Sequence, residues 1–163
     1  MQQGYQPLRI ARFFIEKAAQ SGQEMTPMKL IKLVYIAHGW SLALLKRPLI
    51  SETIQAWKYG PVIESLYHAF KNKGNSPISP DDFQSFSKAD IDEKTVTLLA
   101  KVWEKYGGLT GIHLSTLTHQ PGTPWYKIWE ENGGKERKCA EIPDATIEEF
   151  YVSKSATGTG SGH

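Results

Sequence analysis

Cysteine is almost missing: Cys139 is the single one in 163 residues. One thiol excludes an internal disulfide framework and fits a reducing compartment. A surplus of one charge is missing too. Nineteen lysines and arginines against seventeen aspartates and glutamates leave a formal net charge of +2, far from the basic stripe of a protein that lives on phosphate backbones. No apolar run is expected to approach a membrane span. The opening "MQQGYQPLRIARFF" lacks the charged-then-apolar order of a secretion signal. These absences predict a cytoplasmic protein with no membrane partner and no nucleic-acid partner. Among His38, His68, His113, His119 and His163, none falls into an HExxH or another metal-ligand spacing, so no metal and no cofactor is expected. The only glycine-rich run, "GTGSG", has no strand before it and no helix after it.

What is present reads as helices joined by short turns. Pro7 opens a first helix, which Ser21-Gly22 stops. Thr26 caps and Pro27 starts a second helix that runs to about Leu45, apolar nearly all round. Gly39 inside it costs about 1 kcal/mol against alanine, which predicts a close approach by another backbone. Asp90 with Glu93 reads as a capping box for a further helix. A shorter helix spans Gly111 to His119, Thr123 and Pro124 start another, and Asp144 caps the last. "LISETIQAWKY" and "KCAEI" read as short extended segments. The expectation is a mainly α fold: one compact helical domain, residues 1–154, around a central buried helix of about 26–45, with a small two-stranded β element. Residues 155–163 read as a flexible Gly/Ser/Thr-rich tail.

Three places resist a purely structural account. In "QAWKYGPVIESLYHAF", residues 55–70, Gly60 and Pro61 read as the N-cap and first position of a helix, with Trp57 and Tyr59 beside that joint. Lys29 and Lys32 sit in the first turns of the central helix, where positive charge opposes the helix dipole by roughly a few tenths of a kcal/mol. Glu24 or an acidic partner would compensate them. Five tryptophans exceed what a small core needs, and tryptophan is enriched at interface hot spots. Ser115 and His119, four apart, have the minimal spacing of an activated serine, but no GxSxG surrounds the serine.

Taken in order, "MTPMKLIKLVYIAHGW", "WKYGPVIESLYHAF" and "LTHQPGTPWYKIW" resemble the Panacea domain, the SocA-like antitoxin family also labelled phage-associated protein. The likeness covers about residues 7–152 and departs at Tyr59, where the family often has histidine. It implies an α-rich, non-enzymatic domain that neutralises a cognate protein toxin by direct contact, some members passing the toxin to a cellular protease as adaptors. The family pairs one scaffold with many unrelated toxins, so the fold does not name the toxin. For such a binder the expected contact residues are Lys29, Lys32, Trp57, Tyr59 and Trp125. Thr26, Pro27, Gly60, Pro61, His119 and Pro124 are expected to be structural. Charge reversal at Lys29 and Lys32 should then leave folding intact. Two other readings stay open: a DNA-binding autoregulator of its own operon using Arg9, Arg12, Lys29 and Lys32, and a hydrolase around Ser115 and His119.

Overall fold

Proline and threonine set the helix starts. In the computed structural model, which describes residues 4–83 and 90–157, Pro7 opens α1 (Pro7–Gln20) and buries Ile10, Ala11, Phe14, Ile15 and Ala18 along one face. Helix α2 (Pro27–Trp40) follows Thr26, whose hydroxyl accepts the Lys29 N–H at 3.3 Å. A π-helical turn, Ser41–Leu45, continues it, so the central helix falls where the pattern places it. From Pro27 to Gly39 every residue but Met28 is buried, because α1, four later helices and a strand all pack on it. Within the 19-residue stretch Pro27–Leu45 an 18-residue window has a mean hydropathy of 1.3. By length and composition it reaches the range of a membrane span, contrary to the expectation that no run does. Its apolar surface is instead satisfied within the protein, 78% of that window being buried.

The β element has three strands rather than two. Strands β1 (Ile54–Trp57), β2 (Gly60–Val62) and β3 (Ala140–Ile142) form an antiparallel sheet in the order β2-β1-β3. Ala56 lies opposite Pro61 on one side and Ala140 on the other. Gly60 and Pro61 therefore do not begin a helix. They form an edge strand, and α3 (Glu64–Phe70) starts after Ile63. The local signal is the same in both settings, since a missing N–H suits a helix start and a sheet edge equally. Pairing with β1 decides it.

Helix α4 (Glu93–Tyr106) is capped by Asp92, not Asp90. The Asp92 carboxylate accepts from the Thr95 N–H at 2.9 Å, the Tyr5 hydroxyl at 2.6 Å and Arg47 at 2.8 Å. Burial pushes this carboxyl up, but those hydrogen bonds outweigh it and hold the group well below the usual carboxylate range. One cap thus ties the chain's start, the segment after α2 and α4 together. Helices α5 (Gly111–Thr118) and α6 (Pro124–Tyr126) both start on threonine caps, Thr110 and Thr123. A π-helical turn, Lys127–Glu131, prolongs α6. The last helix, α7 (Asp144–Thr157), begins with Asp144 as a helical residue, and its carboxylate accepts from His38 Nε2 at 2.9 Å. His38 Nδ1 in turn receives the Leu49 and Ile50 N–H groups, which fixes the tautomer with the hydrogen on Nε2. Because α7 runs through Thr157, only 158–163 of the expected tail lie outside the described residues.

What approaches Gly39 is the ring of Tyr151 on α7 rather than backbone, in direct contact with where a Cβ would stand. That ring is buried and boxed in by Tyr35, Trp40 and Phe150, so it has nowhere to swing. Gly39→Ala should cost about 1–3 kcal/mol, the usual range for overpacking, and lower the melting temperature by several degrees. In a Tyr151→Leu background the same alanine should cost much less. Thermal melts of the four chains check this.

Candidate partner-binding groove

Strands β1 and β2 are joined by Lys58 and Tyr59. Both keep an ordinary negative φ; the positive φ of the turn, +122°, falls on Gly60, which only glycine adopts without strain. The turn is held at three alternate carbonyls. Trp125 Nε1 donates to the Trp57 carbonyl at 2.6 Å, Ser115 Oγ to that of Tyr59 at 2.9 Å, and Lys32 Nζ to that of Pro61 at 2.9 Å. A Cβ on Gly60 would stand 2.9 Å from Lys32 Nζ, so a side chain there would displace that ammonium in addition to straining φ.

In front of the hairpin lies a groove of about 520 Å³. The start of α2 gives it Met28, Ile31 and Lys32, the hairpin Trp57, Lys58 and Tyr59, and α3 with its following turn Tyr67 and Lys71. Trp57 and Tyr67 meet edge to face with centroids 5.0 Å apart. The Trp57 ring is oriented by its Nε1 donating to Gln55, which itself donates to Glu64. Tyr59 is 65% exposed, with the Lys58 ammonium over its ring at 5.4 Å. The walls are apolar and aromatic with three lysines and no acid. Lys32 is 3% exposed, and burial lowers its pKa from 10.5 to about 7.

Of the expected contact residues, the structure brings Lys32, Trp57 and Tyr59 to one groove and leaves out Lys29 and Trp125. Lys29 is 6% exposed and faces inward. Its ammonium donates to the Gly107 carbonyl at 2.6 Å and to Gln23 at 3.3 Å, and lies over the Trp103 ring. That carbonyl closes α4, the negative end of its dipole. The charge that its own helix disfavours is thus compensated by the end of another helix, not by Glu24 or an acidic partner. Trp125 is buried, stacked on Trp129 at 5.7 Å and edge-on to His119 at 5.3 Å. It is a pin for the hairpin. Thr26, Pro27, Thr123 and Pro124 serve as helix starts. His119 Nδ1 donates to the Ser115 backbone carbonyl, and the Ser115 hydroxyl donates to the Tyr59 carbonyl, so the two side chains form no nucleophile–base pair. Met28, Ile31, Tyr67 and Lys71 escaped the sequence reading. Tyr67 and Ile31 sit on helical stripes that look like core, and only the tertiary arrangement turns them to a common hollow.

A family model described as antitoxin SocA-like, Panacea domain, matches residues 30–126. Antitoxin SocA of Caulobacter vibrioides (strain NA1000 / CB15N) is 28% identical over 150 residues, which cover 87% of this chain and 80% of that protein. No solved structure matches.

Two tests follow from the lysines. Below pH 7 Lys32 is protonated in both folded and unfolded chains, and its burial cost is fully present. Between about 7 and 10.5 only the unfolded chain keeps the proton, so stability rises with pH. Burial raises the Tyr35 and Tyr151 pKa values, so the trend reverses above about pH 10. The urea midpoint should climb from pH 6.5 to 9, and Lys32→Met should remove most of the climb.

The expectation that Lys29→Glu with Lys32→Glu leaves folding intact is also reversed. Each glutamate would turn a buried carboxylate toward a carbonyl oxygen, a change on the order of 3–5 kcal/mol. Circular dichroism should show the double variant unfolded, or melting far below the parent.

Proposed function

We propose, for a chain that belongs to the antitoxin SocA-like, Panacea domain family, that it is an antitoxin which neutralises a cognate protein toxin in the cytoplasm by binding it directly through the groove in front of the β1–β2 hairpin. The observation that carries this reading is the preformed aromatic hollow itself, about 520 Å³ on a turn held at three carbonyls. A wall fixed in advance loses little entropy on binding. Tyrosine, tryptophan and methionine are the residues enriched where protein interfaces are strongest. The relative's name, antitoxin SocA, supports the same class. Delivery of the toxin to a protease is a finer mode of the same proposal, in which the bound toxin travels with this chain to the protease.

The alternatives are less well supported. A phosphate-binding face built from Arg9, Arg12, Lys29 and Lys32 loses both lysines to the interior, and Arg12 pairs with Glu16 at 3.1 Å. A hydrolase would need Ser115 free to be activated, whereas its hydroxyl is bound to the hairpin.

Tyr59→Asp and Tyr67→Ala change exposed rings and should leave the melting temperature within about 2 °C, as surface substitutions do. Truncating a hot spot costs about 2 kcal/mol or more, roughly 30-fold in affinity. Co-expression with the toxic product of the neighbouring gene should show growth rescue by the parent chain and its loss with the folded double variant. Full rescue by that variant would place the contact elsewhere.

A further inference from the structure

The groove's charge pattern specifies its occupant more closely than its shape does. Resting on the antitoxin reading, we propose that the groove takes a segment of the partner protein in which a carboxylate side chain adjoins a large apolar one, the carboxylate meeting Lys32, Lys58 and Lys71 and the apolar side chain lying against Met28, Trp57 and Tyr67. The size fits: about 520 Å³ lies in the range of pockets that take a small ligand, roughly 300–1,000 Å³, and so has room for two adjoining side chains.

The three lysines are the informative part. An ammonium has three donors. That of Lys32 makes a single hydrogen bond, to Pro61, and no ion pair among the described residues. Lys58 and Lys71 stand exposed at the rim, and neither forms a salt bridge among the described residues. Some surface lysines elsewhere do find acids, as Lys73 finds Asp82 at 3.0 Å and Lys135 finds Glu130 at 3.2 Å. The hollow thus collects three cations without counter-charge and lines the rest with apolar surface. A dry charge lacking a partner is costly, and a carboxylate delivered to it in low dielectric forms one of the stronger hydrogen bonds available to proteins. An isolated acid would forgo the aromatic walls, and a purely apolar segment would leave all three amines without a counter-charge. A segment with both features satisfies both walls. Binding would also restore the proton that burial loosens on Lys32, so affinity should fall as pH rises from 7 to 9.

The test uses the full chain as bait for a displayed library of random dodecapeptides. Enriched peptides should carry Asp or Glu beside Trp, Phe or Leu. Synthetic copies should lose at least tenfold in affinity on Asp→Asn exchange, and at least tenfold against the Tyr59→Asp chain, which locates them in the groove. Lys58→Glu with Lys71→Glu changes only exposed side chains and should shift the selected peptides from acidic to basic. Peptides without acids, indifference to Asp→Asn exchange, no enrichment at all, or displacement by single-stranded oligo(dT) at comparable concentration would each overturn the proposal. Toxin rescue is read separately. If acidic peptides bind as expected while Tyr59→Asp still rescues, the groove chemistry stands and its role in neutralisation falls. If rescue is lost but the selected peptides lack acids, the antitoxin reading stands and the carboxylate assignment falls.

Discussion

Three carbonyls of one hairpin, at Trp57, Tyr59 and Pro61, are each held by a side chain from a different helix: Trp125 of α6, Ser115 of α5 and Lys32 of α2. These bonds fix where a two-residue turn sits against three helices whose positions in the sequence differ widely. Without them β2 would be an edge strand of three residues carrying a proline, too short to hold a position by its own ladder. With them the hairpin becomes a rigid wall. The groove exists because that wall stands off from α3 and from the start of α2.

Lys32 is the most demanding of the three. Its ammonium is buried nearly completely, and desolvation weakens its hold on the proton. The same burial makes its one hydrogen bond directional and strong, since no water competes for it. Gly60 is the complement of this arrangement: any side chain there would meet the ammonium. A helix residue and a turn residue twenty-eight positions away thus constrain one another. Lys29 follows the same logic one turn earlier in α2, closing α4 through the Gly107 carbonyl.

The helices were legible in the sequence because their causes are local. Thr26-Pro27 and Thr123-Pro124 are cap-and-proline starts wherever they occur, and α2 declares itself central by being apolar on every side. What failed was whatever depended on a distant partner. Gly60-Pro61 carries the same local signal for a helix start and for an edge strand, and β1 chose between them. Asp90 and Asp92 are equally good caps on spacing, but Tyr5 and Arg47 converge on Asp92. Lys29 and Lys32 look like surface charge because lysine usually is. Their burial requires carbonyls that only the folded chain supplies. Half of the groove was visible as an aromatic surplus near Gly60, while Met28, Ile31 and Tyr67 read as ordinary helix positions until α2 and α3 are set beside the hairpin.

The turn separates what must stay constant from what can vary. Gly60 is fixed by φ and by Lys32, and Pro61 offers its carbonyl to the same lysine. Tyr59 is held through its backbone oxygen alone, while its ring stands 65% exposed at the mouth of the groove. Exchanging that ring alters the rim without touching any of the bonds that position the hairpin. The turn thus carries a side chain free to change on a backbone that is held in place. Here the freedom of the Tyr59 ring follows from the rigidity of the carbonyl behind it.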